Sequence, residues 1–216
     1  MASKYKPKIL IVEGDQDKRV IPELIEANGI VWGNTKEEAV VYIDSHGGDQ
    51  FIDEAIVSTE LKASGRTALG LIVDADSDFD ARWASIKNAC SGSIADLPDQ
   101  IPESGLIHLT TTGVKFGVWI MPDNKSQGML ETFLMYLIPD ESEFVWQYAQ
   151  EATKEAKNRG ASFIDSHHDK AYIYTWLAWQ DPPGRQLHNA VMEKILNPTH
   201  PKAQTFVSWF RQLYDL

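Results

Sequence analysis

The chain carries one cysteine, Cys90, in 216 residues. An internal disulfide and any multi-cysteine zinc site are therefore excluded, and a reducing compartment fits. Basic residues are scarce as well. Twenty Lys and Arg stand against 31 Asp and Glu, for a net charge of −11. Such a chain is a poor non-specific binder of polyanions, because phosphate contacts need clustered Lys and Arg. A nucleic acid could still approach where metal ions screen the acids. The imbalance is uneven: residues 1–108 have a net charge of −9 and residues 109–216 of −2. Long apolar runs are missing too. No stretch approaches the roughly 18 consecutive apolar residues of a membrane span. The opening run MASKYKPKILIVEGDQD reaches Glu13 too early for a secretory apolar segment, so the expected location is the cytoplasm. There is no internal repeat, no low-complexity tract, no clear linker, and no Gly-x-x-x-x-Gly-Lys-Ser/Thr phosphate loop.

What is present is an ordinary globular composition, 43% apolar and 24% charged, in a chain long enough to bury a sizeable core. KILIV at residues 8–12 is a short run rich in β-branched residues and predicts a buried strand. Further strands are predicted at residues 39–43, 69–73 and 117–121, with 106–112 as an edge strand or a loop. Helices are predicted at residues 20–27, 50–63 and 79–90. Pro22 is tolerable in the first of these only within its first turn. Strands alternating with helices predict an α/β fold, a small parallel sheet flanked by helices. From about residue 127 the pattern turns mostly helical, with helices at 128–138, 142–158, 169–180, 185–196 and 202–214, and four of the seven tryptophans lie there. The expected organisation is an α/β domain over residues 1–126 with a helical part over 127–216 packed on it. That helical part is the expected contact for a second copy or a protein partner.

Three of the predicted strands end in acids. Glu13 closes the first, with Asp15 and Asp17 close behind. Asp74-Ala75-Asp76-Ser77-Asp78 closes the third. Asp123-Asn124 closes the fourth, and Glu131 follows. In a parallel sheet these ends share one edge, where functional groups gather. Carboxylates crowded together raise each other's pKa, and a hard divalent cation such as Mg²⁺ is the usual resolution. Any single acid there also reads as a turn former or helix cap, as Asp78 or Asp80 does before the third helix. An EF-hand loop starting at Asp74 is excluded, because its sixth and twelfth positions are Phe79 and Ser85. His167-His168 invites a transition-metal reading, but adjacent helical residues point to different sides. Asp165-Ser166 reads as the cap of the helix carrying Lys170. Cys90 reads as a buried thiol.

The combination of Ile9-Leu10-Ile11-Val12 leading into Glu13-Gly14-x-x-Asp17, with a later strand ending in Val73-Asp74-Ala75-Asp76-Ser77-Asp78, resembles the Toprim domain of topoisomerases and primases. The likeness spans about residues 8–125. It implies metal-dependent phosphodiester chemistry at Glu13, Asp74 and Asp76, and a glycine after the second strand, here Gly47 or Gly48. Trp119 to Asn124, Gly128 to Glu131, and Lys170 with Trp176-Leu177-Ala178 are similar to small stand-alone Toprim proteins and to the Toprim half of the overcoming-lysogenization-defect nucleases. That likeness implies Glu131 as a further metal ligand and Lys170 as a catalytic lysine. The expected metal set is Glu13, Asp74, Asp76, Asp78 and Glu131, holding Mg²⁺ or Mn²⁺ as cofactor. The expected activity is hydrolysis of DNA or RNA, with nucleic acid as partner.

Other readings stay open. A non-catalytic metal- or nucleotide-sensing module that docks on a partner fits the acidic charge. Haloacid-dehalogenase-like phosphatases place Asp-x-Asp after the first strand, not the third. A dinucleotide fold is opposed by Glu-Gly-Asp-Gln-Asp after the first strand, where the acids would repel a pyrophosphate.

Overall fold

The protein is described by a computed structural model covering residues 6–45 and 53–216. Gly47 and Gly48, and the predicted helix start at residue 50, lie outside the described residues. The strands are β1 (Lys8–Val12), β2 (Tyr42–Ser45), β3 (Ala68–Asp74), β4 (Leu106–Leu109) and β5 (Lys115–Met121). The helices are α1 (Asp15–Ala27), α2 (Glu54–Lys62), α3 (Phe79–Cys90), α4 (Leu130–Met135), α5 (Glu143–Asn158), α6 (His168–Leu177), α7 (Leu187–Met192) and α8 (Pro201–Tyr214).

Among the described residues the strands form one sheet of order β2-β1-β3-β5-β4. All neighbours are parallel except β4, which runs antiparallel on the β5 edge. The segment whose sequence left edge strand and loop open is thus an edge strand. The central strands are apolar on both faces because both faces are covered. Ile9 and Ile11, Leu69, Leu71 and Val73, and Phe116, Val118 and Ile120 face α2 and α3, meeting Val57, Leu61, Trp83 and Ile86. Leu10 and Val12, Ile72, and Trp119 and Met121 face the other layer, meeting Val20 and Leu24 of α1 and Phe206, Phe210 and Leu213 of α8. One apolar cluster therefore runs from the sheet into the C-terminal helices.

Two glycines seat that layer. Gly70 of β3 and Gly117 of β5 are direct partners across the ladder. A Cβ on Gly117 would stand 2.5 Å from a Leu213 methyl, and one on Gly70 would stand 2.9 Å from a Leu10 methyl and collide with the Tyr214 hydroxyl. The bare strip lets α8 lie close on the sheet. The buried Tyr214 hydroxyl then donates to the Ile9 carbonyl oxygen at 2.8 Å.

Several boundaries differ from the sequence expectation. The first helix starts at Asp15 rather than Val20, so Pro22 lies in its interior and not in its first turn. Burial of Val20, Ile21, Leu24 and Ile25 carries the helix through the missing donor. The second strand is shifted to Tyr42–Ser45, because Ala39 and Val40 fold back to donate to the Thr35 and Trp32 carbonyl oxygens. Lys194, at φ +60°, ends α7 early, and Gly128, at φ +137°, delays α4 to Leu130. The helix carrying Lys170 has His167 at its N-cap, with no side-chain cap from Asp165 or Ser166. Asp165 lies 3.4 Å from Lys157 instead. Cys90 is buried, and burial pushes its thiol up to about 12.

Candidate functional site

The chain leaves β1, covers one face with α1, and reaches β2. It then returns through α2 on the opposite face to β3. The connections diverge between β1 and β3, the position where open α/β sheets leave a crevice beyond the strand ends. Glu13 follows the last residue of β1, and Asp74 ends β3. Glu13 Oε2 accepts the Asp74 backbone N–H at 3.2 Å across that gap.

The gap is deepened by the start of α4. The Asp76 and Gly128 backbones exchange two hydrogen bonds of 2.9 Å, clamping the residues after β3 to the loop before α4. Asp76 takes φ +53° there. The clamp aims the α4 N-terminus at Asp74, whose Oδ1 accepts the Leu130 N–H at 3.0 Å. Glu131, next in line, is buried at 5% exposure. Helix α6 is fastened alongside by Asp169, which accepts from the Thr132 hydroxyl, while Thr132 Oγ1 accepts the Met129 N–H at 3.0 Å. This brings Lys170 Nζ to 4.0 Å from Glu131 Oε1.

Asp17 completes the group. It sits in the first turn of α1, buried at 5% exposure, with Oδ2 accepting the Gly14 N–H at 3.2 Å. Glu13, Asp17, Asp74, Glu131 and Lys170 line one cavity of about 320 Å³. Its electrostatics are unfavourable for four anions. Burial pushes Asp17 up to about 7, helped by the charges of Glu131 and Glu13 against its backbone hydrogen bonds. Asp74 lies well above the usual carboxylate range, first through burial and then through Asp17, Glu13, Glu131 and Asp76. Burial also raises Glu131, and Lys170 opposes that rise.

The sequence-predicted residues divide. Glu13, Asp74, Glu131 and Lys170 come together. Asp76 is near enough to raise Asp74, but its carboxylate pairs with Arg82 and lines a separate cavity beside Ser77, Asp165, His168 and Asp169. Asp78 caps α3, its Oδ1 accepting the Ala81 N–H at 2.9 Å. His168 Nδ1 lies 2.7 Å from the Asp165 carbonyl oxygen. Asp17 is not in the expected metal set, although it closes the Glu13-Gly14-x-x-Asp17 motif. By itself an acid in the first turn of a helix is favoured anyway, which hides its part in the site.

Among the described residues, no three His, Cys, Asp or Glu side chains stand arranged to hold a metal ion. The carboxylates are instead spread onto separate N–H donors: Glu13 onto Asp74, Asp74 onto Leu130, Asp17 onto Gly14. The donor set nevertheless fits a hard divalent cation. It is all oxygen, partly buried, and carries a repulsion that a cation would offset.

The family described as "Protein of unknown function (DUF3226)" matches residues 7–215. None of the curated proteins matches the sequence. Among solved structures, the C-terminal region of the Burkholderia pseudomallei OLD protein is similar at 11% identity and a TM-score of 0.48, covering 97% of this chain and 99% of that one. The C-terminal region of the Xanthomonas campestris pv. campestris OLD protein is similar at 15% identity and a TM-score of 0.42, covering 99% and 95%.

Proposed function

We propose that this chain, which belongs to the DUF3226 family, is a divalent-metal-dependent phosphodiesterase of nucleic acids, using Mg²⁺ or Mn²⁺. One observation carries the reading. Asp17, buried, and Asp74, half-buried, share a cavity with Glu13, Glu131 and a lysine at the strand-end crevice, where burial and mutual repulsion raise both carboxyls. A fold that needed these acids only as turn formers would leave them in water. The Toprim resemblance of Glu13, Asp74 and Asp76 supports the same chemistry.

Glu13, Asp17, Asp74 and Glu131 would hold the cation. A bound divalent ion would supply charge neutralisation at the phosphoryl oxygens and a water of lowered pKa. The chain's own groups do the rest. The backbone N–H groups of Asp74, Leu130 and Gly14 orient the carboxylates. Glu131 holds Lys170 at the cavity mouth, where its ammonium can donate to an oxygen that gains negative charge. Asp76, paired with Arg82, stands beside the cavity and belongs to its outer charge balance.

The test is cleavage of single-stranded DNA, duplex DNA and RNA with Mn²⁺, Mg²⁺ or chelator, with Asp74→Asn prepared in parallel. Metal-dependent cleavage that disappears in the variant is the expected result. Cleavage that survives Asp74→Asn overturns the proposal. Metal binding with no cleavage of any substrate would favour the sensing and docking module instead.

A further inference from the structure

A second cavity, of about 450 Å³, opens between the end of β5, the turn before β4 and the start of α8. It shares no lining residue with the carboxylate cavity. Its volume is that of a small-molecule site. The walls are the flat apolar faces of Trp119, Pro122 and Tyr136, and the charged residues are Glu103, Asp123, Lys125 and Lys202.

The acids of this cavity are already engaged. Lys125 Nζ lies 3.0 Å from Glu103 Oε2. Asp123 accepts the Lys125 and Ser126 backbone N–H groups at 3.3 and 2.8 Å, the Ser126 hydroxyl at 3.0 Å and the Tyr136 hydroxyl at 3.2 Å. One cation is not engaged. Lys202 Nζ stands 4.4 Å from the centre of the Tyr136 ring, with no carboxylate partner among the described residues. The ring quadrupole positions that ammonium without neutralising it. Trp119 is 2% exposed, and its Nε1–H is buried with no hydrogen-bond partner. Trp119 thus offers the cavity part of its ring and not its N–H.

We propose that this cavity binds a small organic anion, a planar apolar body carrying a phosphate or a carboxylate. The anionic group pairs with Lys202, and the body lies against Trp119, Pro122 and Tyr136. The two lysines and two acids balance, so the site suits one compact anion rather than a polyanion track. The inference is independent of the phosphodiesterase reading.

The test uses the full chain in chelator, which keeps divalent ions away from the carboxylate cavity. Calorimetric titration with adenosine monophosphate and, separately, with naphthoate distinguishes a phosphate from a carboxylate ligand. Indole N–H resonances are followed in parallel, with that of Trp119 assigned through Trp119→Phe. Saturable binding of either probe, weakened about tenfold or more by Lys202→Gln with a shift of the Trp119 resonance, is the expected result. Lys202 is exposed at the start of α8, so its replacement leaves the core intact. Failure of both probes to bind, equal binding by Lys202→Gln, or an unmoved Trp119 resonance would overturn the proposal.

Discussion

Asp17 and Asp74 are the residues at which burial and charge oppose each other most directly. Each accepts a backbone N–H, which favours the charged form, yet burial and neighbouring carboxylates prevail. The consequence for stability follows from the sign of the shift. Asp17 binds its proton more tightly folded, at about 7, than at its ordinary value of 3.8. Its contribution is therefore fully present below about pH 4 and is lost as pH rises through about 7. Metal-free protein should unfold at lower urea at pH 8 than at pH 5, with at most about 3 kcal/mol of the difference coming from this group. Asp17→Asn should flatten that dependence, and urea midpoints across the pH series measure it. An unchanged slope would mean that Asp17 is not the group that titrates. Lys170 makes a different contribution. Its side chain is 44% exposed and its distance to Glu131 is 4.0 Å, so little stability rides on the pair. Lys170→Gln should lower the cleavage rate about tenfold to a hundredfold while metal binding persists. Single-turnover rates and metal titrations of the same preparation separate the two effects.

Among the elements, the placement of α8 is decided by the absence of side chains. Gly70 and Gly117 face each other across β3 and β5, and Leu213 and Tyr214 occupy the space a Cβ would need. Gly117→Ala should destabilise the protein by about 1–3 kcal/mol, because the added carbon meets a packed leucine rather than a flexible side-chain end. Urea unfolding against wild type measures this, and a change within error would show that α8 can shift away at no cost. The same logic explains the sequence boundaries that moved. Pro22 would stop an isolated helix, but the buried face of α1 outweighs one lost donor. The site, too, is assembled between elements: the Asp76–Gly128 clamp delivers the α4 N-terminus to Asp74, and the Asp169–Thr132 contact delivers α6.

At the scale of the molecule, the net charge of −11 sets how a nucleic acid could be held. With few Lys and Arg available, binding should depend on the divalent ion more than on counterion release. Apparent affinity should then fall less steeply with salt than the roughly 10³-fold or greater loss of a protein making many phosphate contacts. Metal should also stabilise the fold by mass action. At a hundred times the dissociation constant, Mn²⁺ should add about 2.7 kcal/mol, raising Tm by about 5–10 °C. Asp74→Asn should lose most of that rise. Thermal melts with Mn²⁺ or with chelator would show it, and an equal rise in the variant would place the metal elsewhere.

The sequence by itself determined the alternation of apolar runs and helices, hence the α/β class, and the acids at the strand ends. Those features are local: KILIV and LGLIV read as strands buried on both faces, and a run closed by Glu13 or Asp74 ends in a polar place. Only the tertiary structure decided which acids meet. Strand order and crossover side place Glu13 against Asp74, and packing of α1 against the sheet buries Asp17 with them. The Asp-x-Asp spacing looks uniform in sequence, yet Asp74, Asp76 and Asp78 go to the carboxylate cavity, an arginine and a helix cap. Their fates differ because the backbone turns left-handed at Asp76, a conformation that the clamp to Gly128 imposes and that spacing does not encode.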